Sequence, residues 1–293
     1  MDIYSIFESM KELQIEVKYD ALNEAINNLE FALNDELILE NTDSQSKIQR
    51  VISFIKEMWK KFVNWIKSLC NRFAKKEADI ESLLEHDFLQ IVKILNNYPC
   101  DVKVECPVHC SVNDVMVSLN RAYIRAKGIM GDYKYADGND IYNDDVPLEI
   151  IKGAKSIEDI DKIIKEQSKV TDKYKKSIPL KDCWSVLDPV ENLNRIHEFN
   201  ETLQKIEKES KDYYEKEIKK IESDPESLET QIRYFKLCNK VLNEAIRVHV
   251  EVANKICNID EAVVRKMISE VERIMKTPEY KKNSKRRRDD VNE

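Results

Sequence analysis

Residues that break helices are scarce in this chain. It has four Gly and seven Pro among 293 residues, and all four Gly lie between Gly128 and Gly153. Charged residues make up 35% of the sequence, and Glu, Lys, Ile and Leu are abundant. Because Gly and Pro disfavour helix interiors whereas Glu, Lys and Leu favour them, this pattern predicts long helices and an all-α fold. One short strand at most is expected, near 101–105, where DVKVE alternates with period two.

The stretch 47–76 has the clearest helical periodicity. At about 100° per residue, its large apolar side chains share or flank one face, and nine Lys or Arg against one Glu give it a net charge of +8. A basic amphipathic helix containing Trp suits a bilayer interface or the apolar groove of a partner, although most such helices pack into their own protein's core. The residues predicted to contact a membrane or partner are Ile55, Trp59, Phe62, Trp65, Ile66, Lys56, Lys60, Lys61 and Lys67.

Residues 1–45 form an acidic leader with eleven Asp or Glu against two Lys. Its apolar positions recur with helical spacing, which predicts a helix from Asp20 to about Leu39. The polar run from Asn41 to Ser44 then predicts a loop that caps the basic helix of residues 46–77. Two oppositely charged helices joined by a short loop indicate an antiparallel hairpin, in which the leader masks the basic helix. Two ordinary surface helices with uneven charge are the alternative.

The rest of the chain divides into three segments. Residues 78–180 are predicted to form a middle helical module with a loop-rich insertion at 128–153, and residues 181–277 an elongated bundle of long helices. Helix starts are expected at Asp188-Pro189, Asp224-Pro225 and Asp260. Residues 278–293 are polar and are predicted to be a disordered basic tail. The tail cations that could contact nucleic-acid phosphates are Lys285, Arg286, Arg287 and Arg288.

Chemical motifs are weak throughout the sequence. Cys100, Cys106, His109 and Cys110 are zinc-ligand types close together, but they lack a second pair of ligands at the usual spacing, so free thiols are favoured and no metal is predicted. No Gly-rich phosphate loop, Ser elbow or two-His metal helix is present, so neither an enzyme, a cofactor nor a small-molecule substrate is expected. Seven Cys without a disulfide pattern, no secretion signal and no apolar run of about 20 residues indicate a reducing compartment and no transmembrane helix.

The N-terminal layout carries one family resemblance. The segment IFES at Ile6–Ser9, the acidic leader and ISFIKEMWKKFVNWIKSL at Ile52–Leu69 together resemble structural proteins of tailed bacteriophages that infect low-GC bacteria. The resemblance covers about the first 75 residues. It implies a virion-associated, head-internal or ejected protein whose acidic leader precedes a basic, Trp/Phe-rich helix. It also implies processing after Glu40, because maturation proteases of such phages cleave after Glu in a short apolar context such as Ile38-Leu39-Glu40.

These observations favour a non-enzymatic, virion-associated structural protein whose basic helix engages a membrane, DNA or a capsid partner. Its expected location is the virion or the host cytoplasm, and its expected partner is a capsid protein or a second copy of itself. A membrane surface is also compatible, and nucleic acid is the weaker alternative. The competing functions are a helical regulatory module that binds a partner protein, and a membrane-active effector that acts through residues 47–76.

Overall fold

A computed structural model describes residues 14–26, 44–84, 88–107, 175–187, 189–224 and 228–289, together with 112, 113, 115–117, 119 and 123. The described residues form eight helices and one two-stranded sheet, which confirms the all-α prediction. The helices are α1 (14–26), α2 (Ser44–Leu84), α3 (Phe88–Asn97), α4 (the described positions within 112–123), α5 (Cys183–Leu187), α6 (Pro189–Ser223), α7 (Leu228–Met275) and α8 (Pro278–Asp289). The strands are β1 (Lys103–Pro107) and β2 (Lys175–Pro179), and a 3₁₀ turn at Leu180–Asp182 joins β2 to α5.

Three long helices dominate the architecture. Helix α7 has 48 residues and is therefore about 70 Å long at 1.5 Å per residue. Helix α6 runs antiparallel to α2, because Phe73 packs on Phe199 while Trp59, earlier in α2, packs on Tyr214, later in α6. Helix α6 is also antiparallel to α7, since Tyr214 contacts Phe235 while Asn192 contacts Asp260. The basic helix thus packs against the long helices predicted for residues 181–277.

The apolar faces of these helices meet in two hydrophobic cores, and α7 contributes to both. The larger core joins α1, α2, α4, α6 and the N-terminal half of α7. Helix α1 enters it through Leu22, Ala25 and Ile26, and its Tyr19 ring lies 5.1 Å from that of Trp65. Leu22 and Ile26 were expected on the apolar side of a leader helix; the structure confirms their helical placement, but residues 27–43 and the predicted hairpin loop lie outside the described residues.

The smaller core lies beneath the sheet at the other end of α7. It joins α3, β1, the 3₁₀ turn and α5 to residues 263–274 of α7. Strands β1 and β2 are antiparallel, with Lys103 opposite Pro179 and Pro107 opposite Lys175. The strand predicted near 101–105 is therefore present, shifted by two residues. Its partner β2 was not predicted, because KKSIP lacks the apolar alternation that marks a strand on its own.

The predicted ends of two helices differ from the structure. Helix α2 continues past 77 to Leu84, because no Gly or Pro occurs between Phe73 and Leu84 and buried Ile80 extends the same apolar face. Helix α7 runs unbroken through Asp260, where a new helix was predicted, because buried Ile256, Cys257 and Val264 keep the apolar stripe continuous. The loop-rich insertion at 128–153 lies outside the described residues.

The prediction of a disordered tail was wrong for residues 278–289, which form α8. Thr277 caps this helix, since its hydroxyl Oγ1 accepts a hydrogen bond from the Tyr280 backbone N–H at 3.4 Å. Pro278 occupies the first helical position, where its fixed φ angle favours a helix start. The Tyr280 ring then packs on that of Tyr98 at 5.3 Å and anchors α8 beside the smaller core. None of the helices in the described part of the chain is long and apolar enough to cross a membrane.

Candidate functional site

The apolar face of the basic helix α2 lies inside the larger core. Ile55, Phe62, Trp65 and Ile66, all predicted to contact a membrane or partner, are at most 1% exposed, and Trp59 is half-buried. The prediction that this face is an interface is therefore contradicted for the folded bundle. The periodicity was correct, but the surface that covers this face belongs to the protein itself.

An aromatic cluster covers this face at its centre. Tyr214 of α6 lies with its ring centroid 5.2 Å from that of Trp59 and 6.4 Å from that of Phe62. Its hydroxyl donates a hydrogen bond to Oδ1 of Asn239 in α7 at 2.5 Å, so one buried side chain joins three helices. Removing these rings from water contributes to the stability of the bundle, and α2 cannot insert into a bilayer without giving up these contacts.

The opposite face of α2 is exposed and basic. Lys56, Lys60 and Lys67 are exposed, and their positions fall within about 40° of one another around the helix. We call these three residues the α2 ridge. It spans the twelve residues from Lys56 to Lys67, about 16 Å along the helix axis. The exposed positions that flank the ridge include the uncharged Gln49, Ser53, Asn64 and Asn71, and also the charged Arg50 and Glu57.

The other cations of α2 differ from the ridge in their surroundings. Lys61, also predicted to contact a partner, is half-buried and lies 3.1 Å from the Glu57 carboxylate one turn earlier. Lys76 lies 3.3 Å from a carboxylate oxygen of Glu261 in α7, in a partly buried pair between helices. Among the described residues, no carboxylate lies within ion-pair distance of the three ridge lysines. Their charge is therefore available to an anionic partner.

The remaining predicted contact residues lie elsewhere. Glu40, the predicted processing position, falls outside the described residues. The backbone of Lys285, Arg286, Arg287 and Arg288 belongs to α8. A basic segment is thus held in helical form near the end of α7, where the sequence predicted an unstructured tail.

Of the four zinc-ligand types considered in the sequence, the structure describes Cys100 and Cys106, which have different neighbours. The Cys106 Sγ lies 3.9 Å from the Sγ of Cys183, which was not part of the predicted set. Cys100 lies instead beside Glu270, whose carboxyl pKa is lowered chiefly by hydrogen bonds from Arg273 and further by one from Cys100. His109 and Cys110 lie outside the described residues, and no group of three or more His, Cys, Asp or Glu suited to a metal occurs within them.

Sequence reasoning also missed a buried polar contact between α6 and α7. The Asn192 side-chain amide donates a hydrogen bond of 2.6 Å to Oδ2 of Asp260, which is 1% exposed. Burial raises the pKa of Asp260 from 3.8 to about 8. The available signal was an Asp within the apolar stripe of Ile256, Cys257 and Val264, but it was interpreted as a helix start.

Comparisons of the chain with protein-family models, curated proteins and solved structures gave no match. The geometry of the α2 ridge and of the buried polar groups is therefore the basis for the functional argument.

Proposed function

We propose that this protein is a non-enzymatic structural scaffold that binds the phosphate backbone of DNA through the α2 ridge, and that it serves in the virion of a tailed bacteriophage. The observation that carries the proposal is the division of helix α2 into two faces. Its apolar side chains are buried in the larger core, whereas Lys56, Lys60 and Lys67 are exposed and, among the described residues, have no carboxylate within ion-pair distance.

The shape of the protein supports a scaffold. Helices α2, α6 and α7 have 41, 35 and 48 residues, long for helices of a globular domain, which average about 11–12 residues. These helices contact one another at distant points along α6: Tyr214, near its C-terminal end, packs on Trp59 of α2, and Asn192, near its N-terminal end, binds Asp260 of α7. A rigid rod of this kind holds surface charges at fixed spacing, which suits a repeated anionic partner better than a compact ligand.

The ridge fits phosphates rather than bases. Lysine ammonium groups are point charges that contact phosphates without reading base edges, so such contacts position a protein on the duplex without sequence preference. Three phosphate contacts give a salt dependence of roughly −2.7 in log K against log salt concentration. Because the whole chain carries a net charge of −7, binding has to be local to a basic surface of this kind.

A matched pair of charge-reversal variants tests this proposal. One is Lys56→Glu/Lys60→Glu/Lys67→Glu on the ridge. The other is Lys205→Glu/Lys208→Glu/Lys216→Glu, which makes the same charge change at three exposed lysines of α6. Binding of the full chain to a short fluorescent DNA duplex is measured by anisotropy across a salt series. We expect the ridge variant to lose at least tenfold in affinity and most of the salt dependence, while the α6 variant loses much less.

Two results would overturn the proposal. Equal losses in both variants would mean that only net charge matters, and an absence of DNA binding by the unmodified chain at low salt would remove the proposed partner. Binding of the unmodified chain to anionic vesicles without binding to DNA would move the assignment to a membrane surface. Circular dichroism of both variants checks that the bundle remains folded.

A further inference from the structure

Two cysteines far apart in sequence meet beneath the sheet. The Sγ atoms of Cys106 and Cys183 are 3.9 Å apart, although the residues are separated by 77 positions in the chain. Cys106 lies in β1 opposite Lys176 of β2. The 3₁₀ turn then reverses the chain after β2, so that Cys183, the first residue of α5, returns to face Cys106. A backbone hydrogen bond of 2.9 Å from the Leu180 N–H to the Val102 carbonyl fixes this return.

The two thiols are enclosed but close to the surface. Both residues are 0% exposed and belong to the smaller core. Strand β2, which pairs with β1, is exposed to solvent at Lys176 and Ser177. A two-stranded ladder of five residues per strand is marginally stable alone, and such elements open locally more often than long packed helices. Brief separation of β1 from β2 would therefore admit a small reagent to Cys106.

The two thiols are also chemically unequal. Either sulfur can donate in this contact, and the Cys183 thiol also lies 3.4 Å from the Pro179 carbonyl oxygen, to which it can donate. When Cys106 ionises, its thiolate accepts a hydrogen bond from Cys183, which lowers the pKa of Cys106. The same contact and burial raise the pKa of Cys183. The thiolate is the form of cysteine that reacts with oxidants, so Cys106 is the sulfur that reacts first. By contrast, burial raises the pKa of Cys257, which has no second thiol beside it among the described cysteines.

We propose that Cys106 and Cys183 form a redox-active dithiol that hydrogen peroxide converts to an intramolecular disulfide. The Cys106 thiolate attacks one peroxide oxygen, the O–O bond breaks, and hydroxide leaves while Cys106 becomes a sulfenic acid. The Cys183 sulfur then attacks the Cys106 sulfur, and the sulfenic oxygen leaves as water with the Cys183 proton. Two thiols and one peroxide thus give one disulfide and two waters, with two electrons passing to the peroxide.

Closure of this bond has a structural consequence. The sulfurs move from 3.9 Å to the covalent distance of about 2.05 Å, which joins β1 directly to the N-terminus of α5. A cross-link between residues this far apart in sequence restricts the unfolded chain strongly. Oxidation therefore raises the melting temperature and slows amide exchange in β1 and β2.

The test uses the full chain treated with hydrogen peroxide under native conditions. Unreacted thiols are then alkylated, and the protein is digested without reduction for mass spectrometry. We expect the seven thiols to fall to five, and a linked peptide pair containing Cys106 and Cys183. Addition of a reducing agent restores seven thiols and the original melting temperature.

Two variants separate the dithiol from general oxidation. In Cys183→Ser, Cys106 has no resolving thiol, and we expect a sulfenic acid that a cyclic diketone probe labels. Cys257→Ser is the matched buried control, and it retains the 106–183 cross-link. Linkage of Cys106 to Cys100 or Cys110, or oxidation of Cys106 without any cross-link in the unmodified chain, would overturn the proposal. The identity of the cross-linked peptides in the unmodified chain decides the proposal, so a variant that fails to fold does not affect the conclusion.

Discussion

The buried carboxyl of Asp260 makes the stability of the bundle depend on pH. Its side chain is 1% exposed, and among the described residues only one of its oxygens accepts a hydrogen bond, from Asn192. Burial raises its pKa from 3.8 to about 8. Between these values, the folded protein keeps the carboxyl protonated while the unfolded chain ionises it. The folded state then binds more protons, so the free energy of unfolding falls as pH rises from about 4 to about 8.

The size of the effect follows from the difference in pKa. At about 1.36 kcal/mol per pKa unit, a difference of about four units corresponds to roughly 5 kcal/mol across this range. The groups beside Asp260 set its environment. Cys106 and the buried Cys257 lie close to it, and Lys76 and Arg72 act on Cys257 from α2. Neither cation donates a hydrogen bond to Asp260, so desolvation dominates its pKa.

The variant Asp260→Asn tests this account. Asparagine is nearly isosteric, does not ionise, and can still accept the hydrogen bond from Asn192 through its side-chain oxygen. We expect urea unfolding to give similar stability for both proteins near pH 4.5, and a variant more stable by a few kcal/mol at pH 8. Glu272→Gln, at an exposed position of the same helix, is the control and leaves the pH profile unchanged. Parallel profiles for Asp260→Asn and the unmodified chain would mean that Asp260 is ionised when folded, and the argument would be refuted.

Two further substitutions probe the helices that carry the basic residues. Phe62→Ala removes a ring that is 1% exposed, so we expect urea unfolding to show that the free energy of unfolding falls by about 3–5 kcal/mol. The control Lys60→Ala, at an exposed position, should lower it by at most about 0.5 kcal/mol. An unchanged stability for Phe62→Ala would place this side chain outside the core. Tyr280→Ala removes the ring contact that anchors α8, so hydrogen exchange of the α8 amides should accelerate, whereas exposed Glu279→Ala should have little effect. Slow exchange in Tyr280→Ala would show that another contact anchors this helix.

Much of the fold follows from periodicity along single helices. Ile55, Phe62 and Ile66 share one face at helical spacing, and the structure buries all three. The same holds for Ile196, Phe199 and Leu203 in α6. Local spacing determines which side of a helix is apolar, so these predictions did not depend on knowing the neighbours.

The identity of the covering surface could not be predicted in this way. Burial of Phe62 depends on Tyr214, about 150 residues later in the chain, and no local pattern couples the two. A membrane, a groove on a partner protein and helix α6 could each cover the apolar face of α2. The pairs Cys106–Cys183 and Asn192–Asp260 are likewise separated by 77 and 68 positions. Their chemistry arises only when distant elements come together.

The position of α1 changes the expected effect of removing the acidic leader. Charge complementarity predicted that the leader covers the lysines of α2. Instead, the described part of the leader packs on the apolar side of α2, where Tyr19 contacts Trp65, while the α2 ridge stays exposed. Loss of residues 1–40 would therefore uncover apolar surface rather than lysines.

A comparison of two variants tests whether the leader covers apolar surface rather than lysines. We expect the chain truncated to 41–293 to bind more of an apolar fluorescent dye and to show a change in Trp fluorescence without any membrane present. Leu22→Asp in the full chain places a charge at a fully buried position of α1 and should undock that helix while retaining the other acidic residues. If the truncated chain gains dye binding and Leu22→Asp does not, the effect comes from the loss of charge rather than from undocking. If both gain it, the leader protects the hydrophobic core of the bundle, and cleavage after Glu40 would leave that bundle with an exposed apolar surface.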